Sequence, residues 1–277
     1  MHLTGEADLA AGPTSAPSGR ARLRSGTRRS PSLALFVTEP ARGAMEYATL
    51  PLARPWLALA PRGDGHGVLV LPGLMADDAS TRPLRAYLRR LGYYSRGWRL
   101  GRNVGPTEQV LDGLPRALHA LAERTGGPVS VIGWSLGGIF ARELGRDHPE
   151  QVRQVITLGS PFALVDPRQS RADRTFRRRD HLHAPPARLP SRERIRQPIP
   201  VRSTAVYSRF DGIVSWRACV EPTSDLHQNV AVRCSHLGFG VDPATFWLTA
   251  DRLARPAQQW RPFEPPRWLR TLYPVVR

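Results

Sequence analysis

Short apolar runs rich in Val, Ile and Leu alternate with longer stretches of helical spacing, and this rhythm constrains the fold more than any other feature of the chain. The runs are Gly67 to Leu71, Tyr93 to Leu100, Val129 to Trp134, Val152 to Leu158, Val201 to Ser208 and Val230 to Cys234. Helices are predicted near 80–91, 107–124, 136–147 and 243–254. The second places Val110, Leu111, Leu114, Leu118 and Leu121 on one face, as a helix covering a sheet would. Strands joined through helices run parallel, because a parallel pair needs a long crossover. The expected architecture is therefore α/β: a mostly parallel six-stranded sheet with helices on both faces. Ligands would gather outside the carboxyl ends of its strands.

Two segments break the rhythm. Residues 1–44 mix Gly, Pro, Ser and Arg without hydrophobic period and read as a disordered tail, with the domain running over 45–277. Met45 stands where the domain-like sequence starts, and translation beginning there is one expectation. Ser32 to Val37 follows Arg28-Arg29 but is shorter than the ~7–15 apolar residues of an export signal, so a cytoplasmic location is favoured over an exported one. The second segment, 163–200, holds ten Arg against four acidic residues and six Pro. It interrupts two strong strand signals at the functional rim and is expected to be a cap or lid insertion.

The chain has 277 residues, 41% of them apolar, and a formal net charge of +17, all of its basic residues being Arg. No apolar run approaches the ~20 residues of a membrane-spanning helix. The positive field could attract nucleic acid, anionic lipid or acidic substrates. No basic stripe interleaved with aromatic residues appears, so nucleic-acid binding is not expected. Contact of the Arg-rich segment with an anionic membrane surface is a possible partner interaction. Cys219 and Cys234 are either free or joined; joined, they would close a loop of about 15 residues, worth ~3 kcal/mol.

Chemistry concentrates after three of the predicted strands. Gly133-Trp134-Ser135-Leu136-Gly137 lies between a buried strand and a helix, where a sharp turn exposes the serine and leaves no room for side chains two positions away. A serine hydroxyl needs a base to take its proton and a third group to orient that base. Asp211 ends the run Tyr207-Ser208-Arg209-Phe210 in Asp-Gly and is the candidate acid; Asp166 is its rival. His236 follows the last strand at the same rim and is the candidate base, whereas His227 precedes that strand and falls at the opposite end. For a developing oxyanion, the backbone N–H groups of Leu136 and of Leu74, in Leu71-Pro72-Gly73-Leu74, are the candidate donors. Leu74, Met75, Trp134, Phe162, Leu237 and Phe239 are candidates for an apolar substrate pocket. No metal-ligand spacing and no glycine-rich phosphate loop is present, so no metal or cofactor is expected.

Taken together, Leu71-Pro72-Gly73-Leu74, Gly133-Trp134-Ser135-Leu136-Gly137, Leu158-Gly159-Ser160-Pro161, Asp211-Gly212 and His236 resemble the α/β-hydrolases of the lipase and esterase kind, over residues 66–254. The resemblance is to their compact bacterial members. It implies the α/β-hydrolase fold, a Ser135-His236-Asp211 triad and hydrolysis of small-molecule or lipid esters through an acyl-enzyme. Thioesterase, amidase or acyltransferase chemistry on the same trio, and a non-catalytic binding role, are the alternatives. Pro72 stands where many lipases carry His, and Ser160-Pro161-Phe162 replaces their common Thr-Pro-His. These departures bear on the substrate more than on the reaction type.

Overall fold

A computed structural model describes residues 30–256 and 259–274. The helices are α1 (Leu33–Leu57), α2 (Arg82–Arg90), α3 (Glu108–Thr125), α4 (Leu136–Asp147), α5 (Asp173–Arg177), α6 (Arg192–Arg196) and α7 (Pro243–Leu253). The strands are β1 (Gly67–Leu71), β2 (Tyr94–Gly97), β3 (Val129–Trp134), β4 (Val152–Leu158), β5 (Ser203–Ser208) and β6 (His227–Val232). They form one sheet in the order β2-β1-β3-β4-β5-β6, with every neighbouring pair parallel.

Alternation along the strands divides the core into two layers. Val68, Val70, Ile132, Ile156 and Val206 face α2 and α7, with the C-terminal half of α1 packed on the same side. Leu69, Leu71, Val131 and Val155 face α3 and α4. Because both faces are covered, the inner strands β1 and β3 read as nearly continuous apolar runs rather than as alternating ones. β2 is shorter than its apolar run because Asp78 takes the Trp98 and Arg99 N–H groups at 3.0 and 3.1 Å and turns the chain away from the sheet. The helix ends follow their capping residues: Thr107 accepts from Val110 N–H at the start of α3, Gly126 closes it in the left-handed region, and Asp242 caps α7.

The expectation of a disordered tail over 1–44 is overturned from Leu33 onward, where α1 starts; residues 1–29 lie outside the described residues. The helix hid from hydrophobic periodicity because its pattern is inverted. Leu33, Val37, Met45 and Leu52 face solvent, while Glu39 is buried and Gly43 and Glu46 are half-buried on the side toward the protein. Pro40, Pro51 and Pro55 within it further weaken the helical signal. A chain starting at Met45 would lack Leu33 to Ala44 and with them Glu39.

The 163–200 insertion is built from α5, α6 and three single 3-10 turns rather than from irregular chain. It is tied down by Ala184 N–H to the Pro106 carbonyl at 2.9 Å, by Arg188 to Asp112, and by a bridge between Ser170 and Val214. Cys219 and Cys234 are both buried and unbridged, and burial pushes both thiols well above their ordinary pKa. No helix among the described residues is long and apolar enough to cross a membrane.

Candidate active site

The elbow between β3 and α4 has the strain its sequence implies. Ser135 sits at φ 53°, ψ −120°, a conformation that L residues rarely adopt and that persists only where the surroundings over-determine it. They do so here through close backbone contacts. A Cβ on Gly133 would collide with the Gly137 carbonyl, and one on Gly137 would stand 2.6 and 2.7 Å from the carbonyl oxygens of Leu71 and Pro72. Ser135 N–H donates to the Leu158 carbonyl at 2.8 Å, which pins the turn to the neighbouring strand. The serine is 8% exposed, at the carboxyl end of the sheet.

Asp211 follows β5 and His236 follows β6. They meet at the same rim, His236 Nδ1 lying 2.6 Å from Asp211 Oδ2 with both side chains buried. The other Asp211 oxygen accepts from the N–H groups of Ile213 and Val214 at 2.8 and 2.7 Å, so the carboxylate is fixed from both sides. Burial opposes charge on the imidazole, but the charge and hydrogen bond of Asp211, with the charge of Glu39, outweigh it and hold the ring above the usual histidine pKa. Asp166, the rival acid, instead caps the turn Pro167–Gln169 and pairs with Arg168. A strained serine after the third strand of a parallel sheet, an acid after the fifth and a histidine after the sixth, all at one edge, decide the architecture. This is the α/β-hydrolase fold.

The loop after β1 packs against the Ser135 turn. Gly73 is the close-approach point, since a Cβ there would lie 3.3 Å from Ser135 Cβ. Met75 N–H donates to the Asn103 carbonyl at 2.7 Å and Ala76 N–H to the Gly73 carbonyl at 3.1 Å, which leaves the intervening Leu74 at the cavity wall beside Ser135 and Leu136. Leu136 is the first residue of α4, so its N–H is one that a helix leaves without an internal acceptor. Asn103, fully buried and absent from the sequence reading, staples the loop: its amide donates to the Pro72 carbonyl at 2.8 Å and its N–H to the Ala76 carbonyl at 2.8 Å. Its role is invisible in the sequence because every partner is main chain.

A cavity of about 290 Å³ opens beside Ser135, between α4 and the insertion. Leu74, Leu136, Ile139, Phe162, Phe176 and Ile195 give it apolar walls, with Asp173, Arg177, Asp180 and Arg192 at its edge. A second cavity of about 760 Å³ lies between α3, α4 and the insertion, with Leu136, Ile139, Phe176 and Ile195 lining both. Of the expected pocket residues, Leu74 and Phe162 line the cavity beside Ser135; Met75, Trp134, Leu237 and Phe239 do not. Met75 is taken up by the strained turn at φ 64°. Trp134 points its indole N–H at the His236 carbonyl, 3.1 Å away. Phe239 is buried beneath Gly159 and edge-on to the imidazole, and Leu237 lies against α1. Hydrophobicity alone does not tell which side of Ser135 and His236 an apolar side chain occupies.

Among the described residues, no cluster of three or more His, Cys, Asp or Glu side chains is placed to hold a metal ion. No protein-family model matches the chain. Among solved structures, Aspergillus fumigatus lipase B is 15% identical with a TM-score of 0.49; the match covers 69% of this chain and 52%, about half, of the lipase. A structure titled for two metagenome-derived lipolytic enzymes is 14% identical with a TM-score of 0.49, covering 66% of this chain and 89% of its own. A thioesterase domain from the curacin biosynthetic pathway is 14% identical with a TM-score of 0.47, covering 69% and 92%. At such identities these likenesses assign no role to any residue of this chain.

Proposed function

We propose that the protein is a carboxylic ester hydrolase working through an acyl-enzyme. Ser135 Oγ attacks the ester carbonyl while His236 Nε2 takes its proton, and the same imidazole returns that proton to the departing alcohol. Asp211 holds the ring in the tautomer that leaves Nε2 free to accept, and stabilises the imidazolium once it forms. The Leu74 and Leu136 N–H groups receive the oxyanion. Water, activated by His236, then releases the acid and restores the serine.

The observation that carries this reading is the buried Asp211–His236 pair, set at the same strand edge as a serine in a strained turn. Ser135 Oγ makes no hydrogen bond among the described residues. In this reading it joins Nε2 on rotation about χ1, since catalytic hydrogen bonds commonly tighten only in the substrate complex. The apolar walls favour an acyl chain as the group lodged beside Ser135. Contact with anionic lipid is a lesser part of the proposal. Within the insertion Arg168, Arg177, Arg188 and Arg194 are paired with acids, so vesicle binding would depend on the others and fall steeply with salt.

The test is a panel of p-nitrophenyl esters with acyl chains from acetyl to palmitoyl, beside matched thioesters and anilides. Ester turnover abolished by Ser135→Ala is the expected result. A folded protein inert toward all of them would favour a non-catalytic role, and faster thioester turnover would move the assignment to a thioesterase.

A further inference from the structure

Glu39, Gly43 and Glu46 fall at helical spacing on one side of α1, and that side lies against residues 235–238, the loop that carries His236. Gly43 is the point of closest approach: a Cβ there would stand 3.0 Å from Leu237 Cβ. A carboxylate on either side of it accepts hydrogen bonds from the loop. Glu46 accepts from Ser235 N–H at 2.7 Å and from the Ser235 hydroxyl at 2.5 Å.

Glu39 reaches two loops at once. It is 2% exposed; Oε1 accepts from Gly212 N–H at 2.7 Å and His236 N–H at 3.1 Å, and Oε2 from Leu237 N–H at 3.1 Å. Gly212 directly follows Asp211, and α1 presses against it so closely that a Cβ would lie 2.5 Å from the Leu35 carbonyl oxygen. Arg42, one helical turn beyond Glu39, donates to Oε1 at 2.8 Å and to the Phe210 carbonyl at 2.8 Å. Burying a carboxylate costs several kcal/mol unless it is paired and hydrogen-bonded. An inert brace would need no charge here.

We infer that Glu39 is a positioning residue for the triad: a single carboxylate ties the acid loop to the base loop and places a second negative charge beside the imidazole. The inference rests on the triad reading above. It goes beyond it, because the residue that sets the Asp211–His236 geometry comes from a helix outside the strand-and-helix rhythm of the sheet.

The ionisable groups on the elements packed around His236 are Asp211 and Arg209 on the acid loop, Glu39, Arg42 and Glu46 on α1, Arg233 and Cys234 after β6, and Asp242 before α7. Of these, Asp211 and Glu39 raise the imidazole pKa against the effect of burial. Glu39→Gln keeps the shape and removes the charge. Arg42→Met keeps the three N–H bonds and removes the countercharge, and Glu39→Asp keeps the charge on a shorter arm.

The experiment measures kcat, KM and the pH profile of kcat/KM for the full chain and these variants, together with denaturation midpoints. Glu39→Gln is expected to lower kcat by on the order of ten- to a hundredfold with KM little changed. It should also move the acid limb to lower pH, while Arg42→Met moves it to higher pH and Glu39→Asp leaves it near its original place. Shifts of opposite sign are not what loosened packing produces. An unchanged kcat in Glu39→Gln, or an acid limb that stays put in both charge variants, would overturn the inference. If Glu39→Gln does not fold, Arg42→Met decides: a limb unmoved or moved to lower pH overturns it. Phosphonate labelling of Ser135 in the unaltered protein separates the two claims. Labelling with indifference to Glu39 removes this inference alone, and no labelling removes both.

Discussion

Ser135 is held by glycines within three positions of it in sequence, whereas the backbone of His236 is held by a carboxylate 197 positions away. The first arrangement is steric: the elbow closes because main chain meets main chain where a side chain would stand. The second is polar and depends on a helix docking from outside the sheet. A serine held this way cannot be adjusted without breaking the turn. A histidine held this way can be displaced, or its charge altered, while the core stays intact. The two halves of the site should therefore fail differently when disturbed.

The steric half should show the largest effect. Gly133→Ala drives a Cβ into the Gly137 carbonyl, and the backbone has to move to admit it. We expect a loss of about 4 kcal/mol or more, or no folded protein, read as the denaturant midpoint or as soluble yield. A midpoint near that of the unaltered chain would mean the elbow is less constrained than its geometry.

Next in size is the anchor of α4, the helix that begins at the Ser135 turn. Arg142 and Glu221 form a fully buried ion pair at 2.8 Å, with the guanidinium also over the Phe162 ring and bonded to the Gln197 carbonyl. Removing one partner strands the other, so Arg142→Met should destabilise by about 3–5 kcal/mol. Adding Glu221→Leu should recover a good part of that in a double-mutant cycle. Equal loss in single and double variants would show that the pair is not the anchor.

Smaller again is Asn103→Ala, which releases the Pro72 carbonyl and frees the oxyanion loop on one side. About 1–3 kcal/mol of stability should go with it, as for other buried groups left unpaired. Turnover should fall through kcat rather than KM, because the Leu74 donor matters most at the transition state; a loss confined to KM would relocate Asn103 to substrate binding.

The smallest effect is the linkage of His236 to stability. Its folded pKa is raised above the unfolded value of about 6.5, so the stabilisation is fully present below that value and is lost as pH rises through the folded one. Thermal midpoints measured across that range should fall less in His236→Gln than in the unaltered protein. In the proposed mechanism only the neutral ring can accept the serine proton, so the same shift should move the acid limb of kcat/KM upward from the ordinary histidine value.

How much of this could be read from the sequence follows the same division. The inner strands β1 and β3 were legible because both faces of the sheet are covered, which leaves nearly uninterrupted apolar runs, and the others from the short apolar runs between helical stretches. The Ser135 turn was legible because its constraint is local and written in glycine. Asp211 and His236 were legible from their places after successive strands, without knowledge of their contact. α1 was not, because in its N-terminal half the protein-facing side carries Glu39, Gly43 and Glu46 while Leu33, Val37 and Met45 face outward. Asn103 escaped because it bonds only to main chain, and Trp134 and Phe239 were misplaced because an apolar side chain can serve the back of a histidine as readily as a substrate.

Mass-spectrometric mapping of the full chain after treatment with an alkyl fluorophosphonate tests the central claim most directly. The account predicts a single adduct on Ser135, absent in Ser135→Ala and formed far more slowly in His236→Gln. A folded protein that takes up no phosphonate, or takes it up at another residue regardless of Ser135, would contradict it.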